Sequence, residues 1–287
     1  MNVLFDMETG DPDDAVTLCF LIAHPLVSLR AVTVTPGTNE QVGLVHHILQ
    51  TTNHAEIPVG SYRPKYEKNC LSAFHRRWLG NFDDQLPDAE GHQVIKETLE
   101  AYPDLVIITG APLKNFGALE VNQPIEKWIA QGGFAGDNVV PPMHRLPKFN
   151  GMQFCPTYNF NGAPNEALKM LNEVAINDRF LVSKNVCHGV VYNEEFHELL
   201  TPQRHLHLGY ELIYKGMKLY LSKKKAGKKF HDPLAACVAI DPDICIFKEV
   251  KLIKKGGKWG SEPQEGTNTY ISIGVDQDKF RKVFLQL

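Results

Sequence analysis

The chain has 287 residues, of which 43% are hydrophobic and 22% are charged, and its net charge is −3 with the histidines neutral. A chain of this length can bury roughly 75% of its unfolded surface, so the fold needs neither disulfide bonds nor a structural metal. The composition is that of a globular protein rather than a disordered one, and the balanced charge argues against nucleic acid as a partner.

The spacing of the cysteines and the lack of long apolar stretches indicate where in the cell the protein is expected. Six cysteines are scattered without a Cys-x-x-Cys pair, which favours reduced thiols in a cytosolic enzyme over a disulfide framework. The first residues lead into a predicted strand without the charged and apolar regions of a signal peptide. The longest apolar stretches are far shorter than a membrane span. We therefore expect a soluble, cytoplasmic protein with no membrane partner.

An acidic segment follows the first predicted strand. Val3-Leu4-Phe5 predicts a short buried strand, and the apolar run from Ala15 predicts a helix that Asp13 or Asp14 can cap. Between them, DMETGDPDD places five carboxylates within nine residues, at the carboxyl end of a strand, where open α/β sheets bind ligands. Crowded carboxylates repel one another unless a cation, a donor-rich ligand or water compensates them. The segment is either a solvated acidic turn or a divalent-cation site.

The following segments alternate between strands and helices with short connections. We predict strands at residues 27–35, 57–60, 104–109, 128–130, 180–182, 244–253 and 270–275. We predict helices at 40–51, 91–101, 116–121, 161–172, 194–200, 206–223, 232–240 and 276–284, with long irregular segments at 61–87 and 134–157. This alternation predicts an α/β fold with a mostly parallel, Rossmann-related central sheet flanked by helices. No linker divides the chain, so we expect one domain, residues 1–287.

Three other stretches place polar side chains at strand ends or before helices. They are Gly37-Thr38-Asn39, Asn159-Phe160-Asn161 and the His231-Asp232 pair in FHDPLA. Each stretch by itself is compatible with turn and helix-cap chemistry. Each also offers the amide, imidazole or carboxylate groups that a polar ligand requires.

Taken together and in this order, these stretches resemble the inosine-uridine-type nucleoside hydrolase family. The matching segments are the acidic segment after the first strand, GTN after the second, GAPLKN after a middle strand, NFN before a helix, and HDPLA. The resemblance runs from Val3 to about Ala236 and extends weakly to VDQDKF near the C-terminus. It implies calcium-dependent hydrolysis of the N-glycosidic bond of a ribonucleoside or modified nucleoside. It also implies a small-molecule substrate, a role in purine or pyrimidine salvage, and a homo-oligomer.

The resemblance assigns the calcium ion to a set of oxygen ligands. Glu8 stands where the family has its second aspartate, which binds calcium and activates water, and Asp11 is the alternative for that role. Asp14 resembles the bidentate ligand and Asp232 the distant carboxylate. A backbone carbonyl around Val139 or Val140 resembles the remaining ligand. The implied metal set is Glu8, Asp14, Val140 and Asp232.

The resemblance also assigns the substrate contacts. His231 resembles the general acid that protonates the departing base, and Asp13 and Asn161 resemble residues that hold the ribose. Asn159 replaces a glutamate of the family. The implied substrate-binding set is Asp13, Asn39, His75, Asn159, Asn161 and Asp232. For the base, His75, Trp78 and Tyr158 can either stack on it or simply pack within their loops.

Reaction chemistry supports the same grouping. Cleavage of an N-ribosidic bond develops positive charge on the sugar and needs a nucleophilic water and a proton donor for the base.

Two other functions remain open. Asp6-Met7-Glu8 after a strand also resembles the start of a haloacid dehalogenase-type phosphatase, and the replacements at Glu8 and Asn159 suit a non-catalytic nucleoside-binding protein. The lysine-rich run 223–229 is either a solvated surface or a recruiter of phosphorylated nucleosides.

Overall fold

The structure is a computed structural model that describes residues 1–63, 68 and 70–287. The strands are β1 Asn2–Met7, β2 Ser28–Val34, β3 Val59–Ser61, β4 Ala89–Glu90, β5 Val106–Thr109, β6 Ile125–Gln131, β7 Ile176–Val182, β8 Val191–Tyr192, β9 Lys228–Lys229, β10 Cys245–Lys255, β11 Lys258–Pro263 and β12 Thr269–Val275. The helices are α1 Pro12–Ala23, α2 Asn39–Thr51, α3 Ala73–Leu79, α4 Gly91–Ala101, α5 Tyr158–Gly162, α6 Pro164–Asn172, α7 Lys184–Cys187, α8 Glu194–Leu200, α9 Leu208–Lys223, α10 Asp232–Ile240 and α11 Gln277–Leu285.

Most of the strands form one sheet in the order β11-β10-β12-β7-β6-β5-β1-β2-β3-β4. Every neighbouring pair from β12 to β4 is parallel, and β10 runs antiparallel to both of its neighbours, β12 and β11. β8 and β9 form a separate antiparallel pair. The predicted α/β fold with a mostly parallel central sheet is confirmed.

The sheet is buried on both faces, as the apolar character of its central strands requires. Successive residues of β1 alternate between faces, so Val3 and Phe5 belong to one apolar core and Leu4 to the other. β5 divides in the same way, with Ile108 on the first side and Ile107 on the second. This alternation follows from the two-residue period of a strand.

The connectivity creates a crevice beside β1. From β1 the chain proceeds to β2, β3 and β4 on one side, and it then returns to place β5 on the other side of β1. The loops that follow β1 and β5 therefore diverge at the carboxyl edge of the sheet, where parallel sheets bind their ligands. α10 packs against α1, β5 and β6, which carries its first residue to the same edge.

Several element boundaries differ from the predictions. The segment 61–87, predicted to be irregular, contains α3. The Ser72 side chain caps this helix by accepting a hydrogen bond from Phe74 N, and the helix buries Phe74 and Trp78. Residues 64–67 and 69 lie outside the described part of the chain. The helix predicted at 116–121 is only a 3₁₀ turn, Lys114–Phe116. The helix predicted at 161–172 is two helices, because Pro164 lacks an N–H and begins α6.

The C-terminal region holds a strand that the sequence analysis missed. β11 pairs antiparallel with β10 through a glycine turn, and together they extend the sheet beyond β12. None of the helices in the described residues has the length and apolar character needed to cross a membrane.

Candidate active site

A cavity of about 350 Å³ opens where β1, β5 and β6 end, a volume typical of small-molecule sites. Its lining residues are Glu8, Gly10, Asp11, Asp13, Asp14, Gly110, Gln131, Tyr158, Asn159, His231 and Asp232. They come from five separate parts of the chain. The tertiary fold therefore brings together the acidic segment, the HDPLA motif and one asparagine of NFN.

Asp6, the first carboxylate of the acidic segment, connects three parts of the structure through hydrogen bonds. Asp6 is fully buried at the end of β1, and its Oδ1 accepts hydrogen bonds from Thr33 Oγ1 and Asn115 Nδ2, both at 2.7 Å. Burial raises the pKa of Asp6 to about 7, although both hydrogen bonds act to lower it. Asp6 thus joins β1, β2 and the turn after β5.

The turn after β1 directs two carboxylates inward. Asp11 is the N-cap of α1, and its side chain accepts from Asp13 N at 3.4 Å, so the prediction that Asp13 or Asp14 caps the helix is wrong. Pro12 begins the helix with a residue that needs no hydrogen-bond acceptor for its backbone nitrogen. Asp13 and Asp14 follow in the first turn and are almost fully buried.

Three carboxylates converge at the floor of the cavity. Oxygen atoms of Asp13, Asp14 and Asp232 lie within 4.8 Å of one another. Asp14 Oδ1 accepts from Glu8 N at 3.0 Å, whereas Asp232 Oδ1 has no partner among the described residues. Burial raises the pKa of Asp14 and of Asp232 well above the usual value, and the neighbouring carboxylates raise them further. Such a cluster requires compensation by positive charge or by protons.

The space beside this cluster is shaped for a ligand atom rather than a side chain. A Cβ atom on Gly110 would lie 2.7 Å from Asp232 Oδ1 and 3.1 Å from Asp14 Oδ1. Gly110 is therefore required for the two oxygens to keep their positions. Together with the unpartnered Asp232 oxygen, the oxygen-only donor set fits a hard divalent cation.

Glu8 lies at the cavity wall but outside this three-carboxylate group. Its Oε2 accepts from Gly10 N, and its backbone N–H supports Asp14. Burial is the main reason that the pKa of Glu8 is raised to about 7, with Asp13 and Asp11 acting in the same direction. A carboxylate in this range can exchange protons near neutral pH.

His231 is positioned by its backbone and presents its ring to the cavity. Its N–H donates to Asp13 Oδ2 at 3.1 Å, and its Nε2 has no partner among the described residues. Burial, with the Lys228 ammonium acting in the same direction, lowers the pKa of His231 to about 4. The imidazole is therefore neutral at pH 7.

A buried lysine is part of the site and was not predicted. Lys228 Nζ lies 2.9 Å from Asp11 Oδ1 and 3.2 Å from Asp13 Oδ1, and its side chain is only 7% exposed. Burial acts to lower the pKa of Lys228, but Asp13 and Asp11 outweigh it and raise the pKa. Successive side chains of a strand point to opposite sides, so β9 buries Lys228 and exposes Lys229. In the sequence, this two-residue period of a strand was the only feature that could have distinguished these two lysines.

Asn159 forms the opposite wall with residues that the sequence did not identify. Its Nδ2 donates to the carbonyl oxygens of Gly110 and Gln131 and to Gln131 Oε1. Tyr158, 73% exposed, borders both this cavity and an adjacent one of about 400 Å³ that contains Cys70. Gly110 begins the GAPLKN segment that carries part of the resemblance, whereas Gln131 could have been suspected only from its position at the end of a strand.

Two predicted site residues make contacts elsewhere. Asn161 is exposed; its Nδ2 donates to Gly257 O and its Oδ1 accepts from Thr157 N. The carbonyl oxygen of Val140 accepts from Arg145 Nε at 2.9 Å. Neither residue is among the described residues that line the cavity. The structure thus does not bring Asn161 or Val140 to the carboxylates.

Asn39 and the residues of α3 also lie outside the cavity lining. Asn39 begins α2, and its Oδ1 has no partner within the described chain. His75 is fully buried, its Nε2 donates to Thr9 O at 3.1 Å, and burial lowers its pKa to about 4. Trp78 Nε1 donates to Leu212 O. His75 and Trp78 therefore pack within the fold, which was the simpler of the two interpretations.

Comparisons with known proteins agree with this fold. The family described as inosine-uridine preferring nucleoside hydrolase matches residues 3–282. A protein of Aquifex aeolicus (strain VF5), described as uncharacterized, is 29% identical over 301 residues, covering 99% of this chain and 100% of that protein.

Solved structures of similar fold include an inosine-uridine preferring nucleoside hydrolase from Bacillus anthracis. That structure has a TM-score of 0.72 and 17% identity, covering 99% of this chain and 98% of the other. A purine-preferring ribonucleoside hydrolase from Gardnerella vaginalis has a TM-score of 0.69 and 17% identity, covering 99% and 97%.

Proposed function

The chain belongs to the inosine-uridine preferring nucleoside hydrolase family, and from this premise we propose how its site hydrolyses a ribonucleoside. Membership makes the protein a ribosyl hydrolase. We propose that it releases ribose and a free base from a ribonucleoside or modified nucleoside, and that the reaction depends on calcium.

One observation carries the proposal. Asp13 and Asp14 follow the first strand, Asp232 begins α10 near the other end of the chain, and their oxygens meet within 4.8 Å at one cavity. An uncompensated cluster of this kind is costly. Its occurrence beside an unpartnered imidazole and a buried asparagine supports a site for a cation and a polyhydroxylated substrate.

We assign the calcium ion to Asp14 and Asp232, with Asp13 beside them. Asp13 already accepts from His231 N and pairs with Lys228, so its oxygens are less available than those of Asp232. Val140 is left out of this assignment, because it is not among the described residues that line the cavity. A calcium ion held here would supply positive charge that polarises ribose hydroxyls and water.

The remaining residues act on the sugar and on the water. Asp13 accepts a hydrogen bond from a ribose hydroxyl. Asn159 uses its Nδ2 within the protein, which leaves its Oδ1 for a second hydroxyl. Glu8, with its pKa near 7, accepts the proton of the attacking water as the N-glycosidic bond breaks. The negative field of the carboxylates stabilises the positive charge that develops on the sugar.

His231 serves the departing base. Its Nε2 has no hydrogen-bond partner among the described residues, and His231 is one of the residues that line the cavity. Because the ring is neutral at pH 7, it acts as a hydrogen-bond donor from N–H to a base nitrogen or oxygen. Purine and unactivated pyrimidine bases need this donor most, since they leave poorly as anions.

A panel of nucleosides tests the proposal. Free ribose is measured for the wild type and for Asp232→Asn, with calcium and with a chelator. We expect release that both the chelator and the substitution abolish. Nucleoside binding without ribose release would support a binding protein instead, and release of phosphate from sugar phosphates would support the phosphatase alternative.

Other features remain predictions. We propose one domain over residues 1–287, because a single sheet contains both β1 and β12 and one cavity contains both Asp14 and Asp232. A homo-oligomer, a cytoplasmic location and a role in nucleoside salvage follow from the resemblance alone. Analytical ultracentrifugation of the purified protein tests the prediction of a homo-oligomer.

A further inference from the structure

Basic side chains gather around His188, whose ring lies next to that of His231. The His188 ring centroid lies 5.5 Å from that of His231. Two ammonium groups converge on a single atom of His188: Lys148 Nζ lies 3.3 Å and Lys229 Nζ 3.0 Å from its Nδ1. Two lysines from distant segments, one after β6 and one in β9, therefore bring positive charge to the same point.

A third lysine completes the group that we call the His188 cluster, namely Lys148, Lys184, His188 and Lys229. Lys184 Nζ donates to Pro156 O at 2.8 Å, two residues before Tyr158, which lines the cavity. Lys184 also contributes positive potential at both His188 and His231. The four residues are not among the described residues that line the cavity, but the cluster contacts the His231 ring, which does line it, and Pro156, two residues before Tyr158.

No carboxylate neutralises this cluster among the residues that the structure describes. The lysine run 223–229 is not one surface: Lys225 pairs with Glu194, and Lys228 pairs with Asp11 and Asp13. Lys229 makes no ion pair with a described residue and instead approaches His188. Burial lowers the pKa of Lys229, and the nearby ammonium of Lys148 lowers it further, as like charges held close together do.

We propose that the His188 cluster binds an anionic oxygen group on the base, so that the enzyme prefers ribonucleosides whose base carries a carboxylate. This inference rests on the proposed function, in which His231 contacts the departing base. The cluster packs on His231 rather than on Asn159, which faces the sugar, so the anion belongs to the base. Lysine side chains are flexible point charges, and they can reorient from His188 towards a carboxylate at the cavity rim.

The test compares substrates that differ in one charge. The calcium-loaded enzyme is given 5-carboxyuridine beside 5-carbamoyluridine, and orotidine beside uridine, and both kcat/KM and the dissociation constant from calorimetry are measured. Charge-assisted contacts predict a preference of about tenfold or more for the carboxylated member of at least one pair. The preference should fall as salt is added, because these lysines are at the surface.

Matched variants locate the effect. Lys148→Met with Lys229→Met should reduce the preference to near unity. Lys223→Met with Lys225→Met removes the same number of charges from an exposed part of the chain and should leave it intact. A preference below twofold in both pairs, or one that survives the first double variant, overturns the proposal.

Two further outcomes are separable. A preference for uridine 5′-monophosphate over uridine that disappears in the first double variant would move the anion to the sugar and overturn the assignment to the base. If no nucleoside releases ribose, the proposed function fails, and the dissociation constants of the matched pairs alone decide the proposal about the cluster.

Discussion

Replacement of Lys228 by methionine tests the electrostatic account of the site. Methionine keeps the length and the apolar stem but removes the ammonium that lies 3.2 Å from Asp13 Oδ1 and 2.9 Å from Asp11 Oδ1. The Asp13 side chain is 4% exposed, whereas that of Asp11 is 52% exposed. The substitution should therefore lower the free energy of unfolding mainly through the lost contact with Asp13, because solvent screens the contact with Asp11.

The magnitude follows from leaving a buried carboxylate without its partner. Removal of one member of a buried ion pair costs about 3–5 kcal/mol, and we expect a value near the lower limit, about 3 kcal/mol, in metal-free protein. A calcium ion compensates the same carboxylates, so the loss should be smaller with calcium bound. If the two losses differ by about 1.4 kcal/mol, the variant must bind calcium about tenfold more tightly than the wild type.

Urea unfolding with chelator and with saturating calcium measures both losses, and calorimetry measures the calcium affinity directly. Lys225→Met is the matched control, since Lys225 is 76% exposed and its partner Glu194 is 62% exposed; it should change stability far less than Lys228→Met does, because solvent screens the pair. If, in chelator, Lys228→Met lowers the free energy of unfolding no more than Lys225→Met does, the reasoning is refuted. Unchanged or weaker calcium binding would refute it as well.

Three other predictions follow from the site. Gly110→Ala places a methyl group 2.7 Å from Asp232 Oδ1, so calorimetry should show calcium affinity reduced about tenfold or more; unchanged affinity would contradict the cation assignment. His231→Ala should slow purine nucleosides about 100-fold but slow 4-nitrophenyl riboside far less, and equal slowing would exclude its role towards the base. Burial raises the pKa of Glu8 to about 7, so the folded state holds a proton on Glu8 that the unfolded state has lost, and metal-free Glu8→Gln should gain stability relative to the metal-free wild type as the pH rises from 5 to 8; a difference between the two proteins that does not change with pH would contradict this.

The sequence determined the fold class and the acidic centre of the site. Apolar runs such as Val3-Leu4-Phe5 are local signals, since a strand buried on both faces must be apolar throughout. The acidic segment and HDPLA were also legible, because crowded carboxylates require compensation wherever they lie. These properties depend on residue type and on near neighbours along the chain, and no knowledge of packing was needed to find them.

Tertiary structure decided which of the polar side chains meet. Asn159 faces the cavity, whereas Asn161, two residues later in the same motif, contacts Gly257, and local sequence does not distinguish their directions. Lys228 and Lys229 are identical neighbours, yet one is buried between carboxylates and the other approaches His188. Such differences arise from contacts between segments far apart in the chain. The residues themselves therefore indicated a metal site, and only the packing of α10 against α1, β5 and β6 showed which groups surround it.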